Sequence, residues 1–371
     1  MADESEYERD IDLVLVAGAG ASHEFGINDT KVPLMSGWSD ALVDKISERS
    51  WSYLEATGLK KSLDGPTFEQ KLGTFLRLAI ALPQIEQVLK PSLEFQAPPL
   101  GLSEQSLREW QQITLHHVTE ITHLIRDSLY ENFSPGRMDL DKAYQAYRIL
   151  FQQLGIMGTE SLVYATTNYD IVAEHVIERM GGLPDCGDQR GLINKSEAQL
   201  RVDGLLDGMP RYVPVLHLHG RIGWYQRSNT ASYSSDINAH NRDGGVPILM
   251  LPDPDKVYDT DPNITSLWAQ FEEALRRARR VLVLGHSLHD RSLIEALQRN
   301  VSPGERVAVT TIGGTQVRGV VAPADPDLDF RLDRELPSAT VIPLHFAENT
   351  VNIEGEVVKW NNRIETKVAP F

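Results

Sequence analysis

The stretch Asp12–Ser22, with the sequence Asp-Leu-Val-Leu-Val-Ala-Gly-Ala-Gly-Ala-Ser, constrains the fold more than any other part of the chain. Residues 13–17 form an unbroken apolar run of strand length without polar alternation, which is typical of a central parallel strand buried on both faces. Gly18 and Gly20 then permit a tight turn whose backbone can approach a pyrophosphate, and Ser22 can cap a helix whose free amides attract anions. The stretch predicts the first strand of a parallel sheet and a turn with phosphate-binding geometry.

The same turn also has an ordinary structural interpretation. Gly-x-Gly is common between a strand and a helix, and the third glycine of the dinucleotide-binding fingerprint is missing, because His23 follows Ser22 directly. The turn by itself therefore leaves both nucleotide binding and a plain connection open.

Length and composition describe a chain with a substantial core. Its 371 residues exceed one typical domain, so we expect a core domain and a sizeable second lobe. Hydrophobic residues make up 41% of the chain, but no uninterrupted apolar run approaches a bilayer span, so we expect no membrane association. The first ten residues are acidic and lack the basic and apolar regions of a signal peptide, which predicts a cytoplasmic location.

Charge and cysteine content limit the possible ligands. The formal net charge of −16 disfavours direct nucleic-acid binding, because phosphate backbones are bound through Lys and Arg. The dense basic run 276–280 ends a predicted helix, where cations interact favourably with the helix dipole, and is interpreted as a helix end. A single cysteine, Cys186, forbids an internal disulfide and a zinc site built from paired Cys-x-x-Cys motifs, so we expect no zinc.

Predicted strands and helices alternate along most of the chain. Between Trp38 and Gly155 the pattern gives no strand, so the predicted fold is α/β, a Rossmann-like doubly wound, mostly parallel sheet with a large inserted helical lobe. The predicted domains are a first part of the core at 11–38, the lobe at 39–155, and the remainder of the core with C-terminal strands at 156–371. Further strands are predicted at 161–170, which turns polar at its C-terminal end, and at 212–220, 247–251, 280–287, 307–311 and 339–344, and helices at 40–49, 68–82, 103–133, 140–154, 171–180, 265–280 and 291–299.

Several predicted strands end in polar residues, at the edge where ligands of open α/β sheets bind. On the strand 212–220, His217 and His219 point to the same face, and each can be either a catalytic group or a buried structural histidine. At the polar end of the strand 161–170, Asn168 and Asp170 can serve a ligand, but either can instead cap the helix that follows. These alternatives stay open from the residues alone.

Four motifs, taken together and in this order, resemble the sirtuin (silent information regulator) family of NAD-consuming proteins. The resemblance spans residues 12–290 but leaves the helical insertion and the C-terminal part unmatched. The motifs are Gly18-Ala-Gly-Ala-Ser22, Thr166-Thr-Asn-Tyr-Asp170, His219-Gly220 and Gly285-His-Ser-Leu288.

The resemblance implies a cofactor-binding role for ten residues. It places Gly18, Ala19, Gly20, Ala21 and Ser22 around the NAD pyrophosphate, Gly285 and Ser287 on the adenosine side, and Thr167 and Asp170 in the motif of the nicotinamide-side ribose. Asp29 belongs to a degraded form of the family's Gly-Ile-Pro-Asp-Phe-Arg loop, in which Asn28 replaces the proline and the arginine is absent.

Two residues carry the chemistry that the resemblance implies. Asn168 falls on the asparagine that binds the ribose and positions the attacking water, and His219 falls on the general base. Cleavage of the nicotinamide–ribose bond passes through an oxocarbenium-like ribose, for which a histidine can take a proton near neutral pH and an asparagine can bind water without adding charge.

The chain also departs from the family. One cysteine cannot supply the four-cysteine zinc ribbon of sirtuin deacylases, and the large helical insertion resembles bacterial sirtuin-like defence proteins that hydrolyse NAD after phage infection. The resemblance therefore implies an NAD glycohydrolase that acts as an antiphage effector, as a homo-oligomer and beside a phage-sensing partner such as a HerA-type ATPase. Two alternatives stay open: a non-catalytic module that binds NAD or ADP-ribose, and a divergent NAD-dependent deacylase or ADP-ribosyltransferase.

Overall fold

The structure is a computed structural model that describes most of the chain outside 53–103 and several shorter gaps. No helix in this part of the chain is long and apolar enough to cross a membrane. The described residues are 10–28, 30–33, 38, 41–42, 45–50, 52, 104–156, 162–186, 212–227, 230–233, 246–250, 262–301, 306–311, 314–317, 320–323 and 334–343.

Twelve strands and five helices have both ends within the described ranges, and residues 41–42 and 48–50 are also helical. The strands are β1 (Ile11–Ala17), β2 (Leu162–Thr166), β3 (Leu183–Asp185), β4 (Tyr212–His217), β5 (Gly220–Arg227), β6 (Thr230–Tyr233), β7 (Val246–Leu249), β8 (Ala278–Leu284), β9 (Val307–Thr311), β10 (Gly314–Val317), β11 (Val320–Pro323) and β12 (Thr340–Pro343). The helices are α1 (Glu104–Phe133), α2 (Leu140–Gln153), α3 (Val172–Arg179), α4 (Pro262–Arg277) and α5 (Arg291–Asn300).

Seven strands form the main sheet, in the order β12-β9-β8-β1-β2-β4-β3. Every neighbouring pair in it is parallel, and β1 lies between β8 and β2, with Leu15 opposite both Leu282 and Tyr164. All residues of β1 except the half-buried Asp12 are buried, which explains the unbroken apolar run. The predicted α/β fold with a parallel, helix-flanked sheet is confirmed, and the stretch that opens the sequence lies at its centre.

Three strand predictions need correction. The strand predicted at 280–287 is β8, which ends at Leu284 before Gly285 with its φ of +60°, and the basic run 276–280, interpreted as a helix end, continues from α4 into β8. The run 247–251, expected in the main sheet, forms β7 in a separate three-stranded sheet with the order β6-β5-β7. A short apolar run predicts a strand, but its pairing partner is not encoded in its own pattern. The strand predicted to reach Gly220 ends at His217, because Gly220 adopts a φ of +81° and begins β5.

The chain divides into two compact units. The first comprises Met1–Leu34, Pro135–Gly220 and Pro254–Phe371, and contains the main sheet. The second comprises Met35–Ser134 and Arg221–Asp253, and contains α1 and β7.

Within the second unit, the side chain of Trp38 is buried beside α1. Its Nε1 donates to Ser128 Oγ at 2.9 Å, and its ring lies edge-on to that of Phe133 at 5.8 Å. The predicted domain boundaries at residues 38 and 155 stay a prediction, and the helix predicted at 68–82 lies outside the described residues.

Candidate functional site

The turn after β1 packs backbone to backbone against the turn after β8. Gly18 N donates to Leu284 O and Gly20 N donates to Gly285 O, both at 2.9 Å. A Cβ atom at Gly18 would lie 2.7 Å from Gly285 O, and one at Gly285, whose φ is +60°, would lie 2.4 Å from Ala21 N. Glycine is therefore required at both positions by close approach, and at Gly285 by backbone conformation as well.

The prediction that Ser22 caps a helix is wrong. Two 3₁₀ turns, Ala19–Ala21 and His23–Phe25, follow β1, and Ser22 makes no side-chain capping hydrogen bond. Its hydroxyl instead accepts a hydrogen bond from Asn168 Nδ2 at 3.0 Å. Ser22 thus joins the turn after β1 to the turn after β2.

Asn168 is fixed in one orientation at the end of β2. Its Nδ2 donates to Gly18 O at 2.9 Å as well as to Ser22 Oγ, and its backbone N donates to Thr166 Oγ1 at 3.0 Å. Beside it, Thr167 N donates to Ala17 O at 3.0 Å. Because both donor contacts use Nδ2, the side-chain oxygen of Asn168 is the atom that can accept from a ligand hydroxyl or water.

Asp170 lies just before the helix that follows β2. Its Oδ1 accepts from Val172 N, the first amide of α3, at 2.9 Å, but the N-cap position is Ile171, so Asp170 supports the helix start from one residue before the cap. Burial raises the pKa of the Asp170 carboxyl, while the hydrogen bonds from Val172 N and the Ser22 hydroxyl act in the opposite direction. The carboxyl therefore lies in a dry environment beside the turn after β1.

His219 lies just beyond the end of β4 and contacts a buried carboxylate. Its Nε2 is 2.8 Å from Asp290 Oδ2, and the two side chains are 4% and 3% exposed. Asp290 is held in turn by α5, since its Oδ1 accepts from Ser292 N at 3.1 Å at the start of that helix. The imidazole is oriented by a carboxylate that is itself fixed, which is the arrangement of a histidine base in many enzymes.

Sequence reasoning missed Asp290. Its signal was its place as an N-cap before α5, five residues after Gly285, but a capping aspartate is common and its histidine partner lies 71 positions earlier in the chain.

His217 has different surroundings from His219. Its Nε2 lies 3.2 Å from Glu174 Oε1, on α3, and its Nδ1 lies 3.4 Å from the backbone oxygen of Asn168. The side chain is completely buried within the first unit. This placement favours the structural role that the sequence left open for His217.

The predicted residues follow four adjacent strands of one parallel sheet, β8, β1, β2 and β4. Thr166 and His217 are partners in the β2–β4 register, so Asn168 and His219 each lie two residues beyond a matched pair. Gly285 is buried and Ser287 is exposed beyond the end of β8. The carboxyl ends of these strands meet at one edge, where ligands of open α/β sheets bind.

The cofactor loop predicted from Gly26 to Asp29 is described only in part. Gly26 pairs with Met138 in an isolated bridge, and Asn28 has a φ of +54°. Asp29 lies outside the described residues, so its predicted role stays a prediction.

No protein-family model matches the chain, and a search of curated proteins finds no match. Among solved structures, the chain is similar to a Sir2 enzyme analysed for mechanism and regulation, with a TM-score of 0.36 and 12% identity over 97% of this chain and 99% of that one. It is also similar to a Sir2 homologue in complex with NAD (TM-score 0.35, 12% identity, 97% and 95% covered) and to a mutant Sir2 homologue in complex with 2′-O-acetyl ADP-ribose (0.34, 15%, 99% and 98%). TM-scores this low do not establish a shared fold, so the fold described above rests on strand order and register.

Proposed function

We propose that the chain binds NAD at the carboxyl edge of its main sheet and hydrolyses the nicotinamide–ribose bond, which yields nicotinamide and ADP-ribose. The observation that carries the proposal is the buried pair of His219 and Asp290, 2.8 Å apart, at the same sheet edge as the glycine turn and Asn168. Packing alone does not require a buried histidine at a strand end to be paired with a carboxylate. A histidine that acts as a base is, in contrast, oriented by such a partner.

The proposal places the NAD pyrophosphate beside the turn after β1. This turn consists of Gly18, Ala19, Gly20, Ala21 and Ser22, and it lies at the same sheet edge as Asn168 and His219. The proposal also keeps Thr167 and Asp170 beside the nicotinamide-side ribose, and Gly285, Ser287 and Asp29 around the rest of the cofactor.

The chemistry divides among three side chains. As the C1′–nitrogen bond breaks, its electron pair leaves with nicotinamide, and positive charge develops on the ribose. The Asn168 oxygen binds the attacking water, His219 takes the proton that the water loses on forming the new C1′–oxygen bond, and Asp290 stabilises the imidazolium. Each positioned group of this kind contributes about 10²–10⁴-fold to a rate.

The first experiment incubates the purified chain with NAD and separates the products by chromatography. Asn168→Ala and His219→Ala are run in parallel, and His116→Ala, at an exposed histidine on α1, is the matched control. We expect nicotinamide and ADP-ribose from the parent and the control but not from the two site variants, with all four chains folded by circular dichroism. NAD loss that continues in Asn168→Ala would contradict this assignment of the site.

Other outcomes favour the alternative functions. Tight NAD binding without turnover, in the presence of every candidate activator tried, favours a non-catalytic regulatory module. NAD consumption that requires an acylated or acceptor protein favours a deacylase or ADP-ribosyltransferase.

We further propose that NAD depletion serves bacterial antiphage defence in the cytoplasm, through a homo-oligomer with a phage-sensing partner such as a HerA-type ATPase. The support is the motif resemblance together with the helical insertion. Phage plating on cells that carry the parent or Asn168→Ala, with cellular NAD measured after infection, tests this role. Equal protection by both chains would contradict it.

A further inference from the structure

Three buried side chains with metal-binding atoms meet behind the strand end that carries Asn168. They are Glu174 on α3, Cys186 immediately after β3, and His217 at the end of β4. Their exposed fractions are 8%, 4% and 0%, and one ligand atom from each lies within 4.8 Å of the other two. The proposed hydrolysis uses none of the three.

Two ligand-atom distances in this cluster are close to those of a tetrahedral zinc site. Glu174 Oε1 lies 3.2 Å from His217 Nε2 and 3.6 Å from Cys186 Sγ. Tetrahedral Zn²⁺, with its ligands at about 2.0–2.3 Å, separates any two ligand atoms by about 3.3–3.8 Å. The Glu174–His217 and Glu174–Cys186 distances fit these separations to within a few tenths of an ångström, and all three ligand atoms lie within 4.8 Å of one another.

The imidazole of His217 is oriented as a metal ligand. Its Nε2 faces the carboxylate, and its Nδ1 lies 3.4 Å from the backbone oxygen of Asn168. Metal-bound histidines usually donate their second ring N–H to a carbonyl or carboxylate, which fixes the tautomer and directs the other nitrogen's lone pair toward the metal. With its proton on Nδ1, the imidazole of His217 has a lone pair on Nε2, the nitrogen that faces Glu174.

The charges of the set also balance. Zn²⁺ displaces the thiol proton of Cys186, and the resulting thiolate, the Glu174 carboxylate and a neutral imidazole sum with the ion to zero net charge. A neutral buried set costs much less than an isolated buried ion. The single cysteine, which rules out a paired-cysteine ribbon, is enough for this mixed set of sulfur, nitrogen and oxygen ligands.

We propose that Glu174, Cys186 and His217 bind a structural Zn²⁺ that links α3, the end of β3 and β4. The site differs from a four-cysteine ribbon in its ligands and in its position inside the main-sheet unit. The sequence-based expectation of no zinc applied to paired cysteines, and the proposal replaces it for this cluster.

Metal analysis of the full-length chain tests the proposal. After saturation with zinc chloride and gel filtration, we expect about one zinc ion per parent chain, and loss of that ion in Cys186→Ser and in His217→Gln. His116→Ala is the matched control, because His116, His117 and Glu120 on α1 form a second candidate cluster, and it should retain the zinc. A zinc-free parent chain, or zinc retained in Cys186→Ser, would overturn the proposal.

Two further measurements use the parent chain, so they do not depend on folding of the variants. Cobalt substitution should produce a thiolate-to-cobalt charge-transfer band in the near ultraviolet, since Cys186 is the chain's one cysteine. Chelation should also raise the rate at which a thiol reagent modifies Cys186 by about tenfold or more, because the bound thiolate is protected by the metal. Absence of the band, or a chelator-independent thiol rate, would overturn the proposal. None of these readouts requires NAD hydrolysis, so the two proposals fail separately.

Discussion

His217 and His219 lie two residues apart, and their surroundings show what makes one a structural residue and the other a candidate base. Both side chains are buried, and each contacts one carboxylate, Glu174 at 3.2 Å or Asp290 at 2.8 Å. His217 is the last residue of β4 and its partner lies on α3, whereas His219 lies in the turn beyond the strand and its partner precedes α5. A carboxylate neighbour alone does not identify a base, and the position relative to the strand end separates the two residues.

The sharpest test of this comparison exchanges each histidine for glutamine. We expect His219→Gln to lower NAD turnover by about 10²–10⁴-fold, because the proposed base is lost while the turn stays polar. We expect His217→Gln to lower the free energy of unfolding by about 1–3 kcal/mol, because it removes the buried contact between His217 Nε2 and Glu174 Oε1.

Chromatographic NAD assays and urea unfolding on both variants give the two readouts. The assignments of the two histidines would be reversed if fully folded His217→Gln lost NAD turnover while His219→Gln stayed active.

Asp290→Asn tests whether the second carboxylate acts through His219. Asparagine is as good an N-cap as aspartate, so α5 should keep its stability. Turnover should fall by about 100-fold or more, because an amide orients the imidazole but does not stabilise its positive charge.

The pH profile separates this role from a structural one. Without the carboxylate, the imidazolium is less stable, so the acid-side fall of activity should move to lower pH. An unchanged profile with reduced turnover would mean that Asp290 only supports the helix.

Gly285→Ala tests the close packing of the turns after β1 and β8, at the sheet edge that carries His219. The new Cβ would lie 2.4 Å from Ala21 N at a φ of +60°, so we expect a loss of about 2–3 kcal/mol in unfolding free energy and weaker NAD binding. Gly155→Ala is the matched control, because Gly155 has a φ of +73° but no atom within 4 Å of the added Cβ. The control should lose about 1 kcal/mol and keep its NAD affinity. Equal losses of unfolding free energy in the two variants would show that the close packing of the turns after β1 and β8 does not contribute to stability.

The sequence was sufficient for the central part of the fold. The apolar runs of β1, β2, β4 and β8 predict buried strands because a strand covered on both faces has no polar alternation. The sequence did not predict which strands β7 pairs with, because the neighbouring strands, and not the residues of β7 itself, decide which sheet β7 joins.

The candidate site divides in the same way. Glycines and polar residues at strand ends are visible in the sequence because the carboxyl edge of a parallel sheet collects them. The partners of those residues are not: Asp290 reaches His219 across 71 positions, and Ser22 contacts Asn168 across 146. Such contacts depend on strand order, which no local pattern records.

Asp170→Asn examines the environment of His217 by its pH dependence, with the smallest expected effect. Burial, as the main cause, and the Glu174 charge raise the pKa of the Asp170 carboxyl, while hydrogen bonds and the His217 charge lower it, and the net shift is upward. Above the ordinary aspartate pKa the unfolded chain therefore loses the Asp170 proton more readily than the folded chain, which destabilises the fold. Asparagine removes this cost and can still accept from Val172 N.

The Asp170→Asn variant should be more stable than the parent by about 1 kcal/mol at neutral pH. This advantage should vanish as the pH falls below the ordinary aspartate pKa, where both states of the parent are protonated. Urea unfolding across this pH range measures the difference, and a difference that stays constant with pH would attribute it to altered hydrogen bonds and not to the dry environment that Asp170 shares with Glu174 and His217.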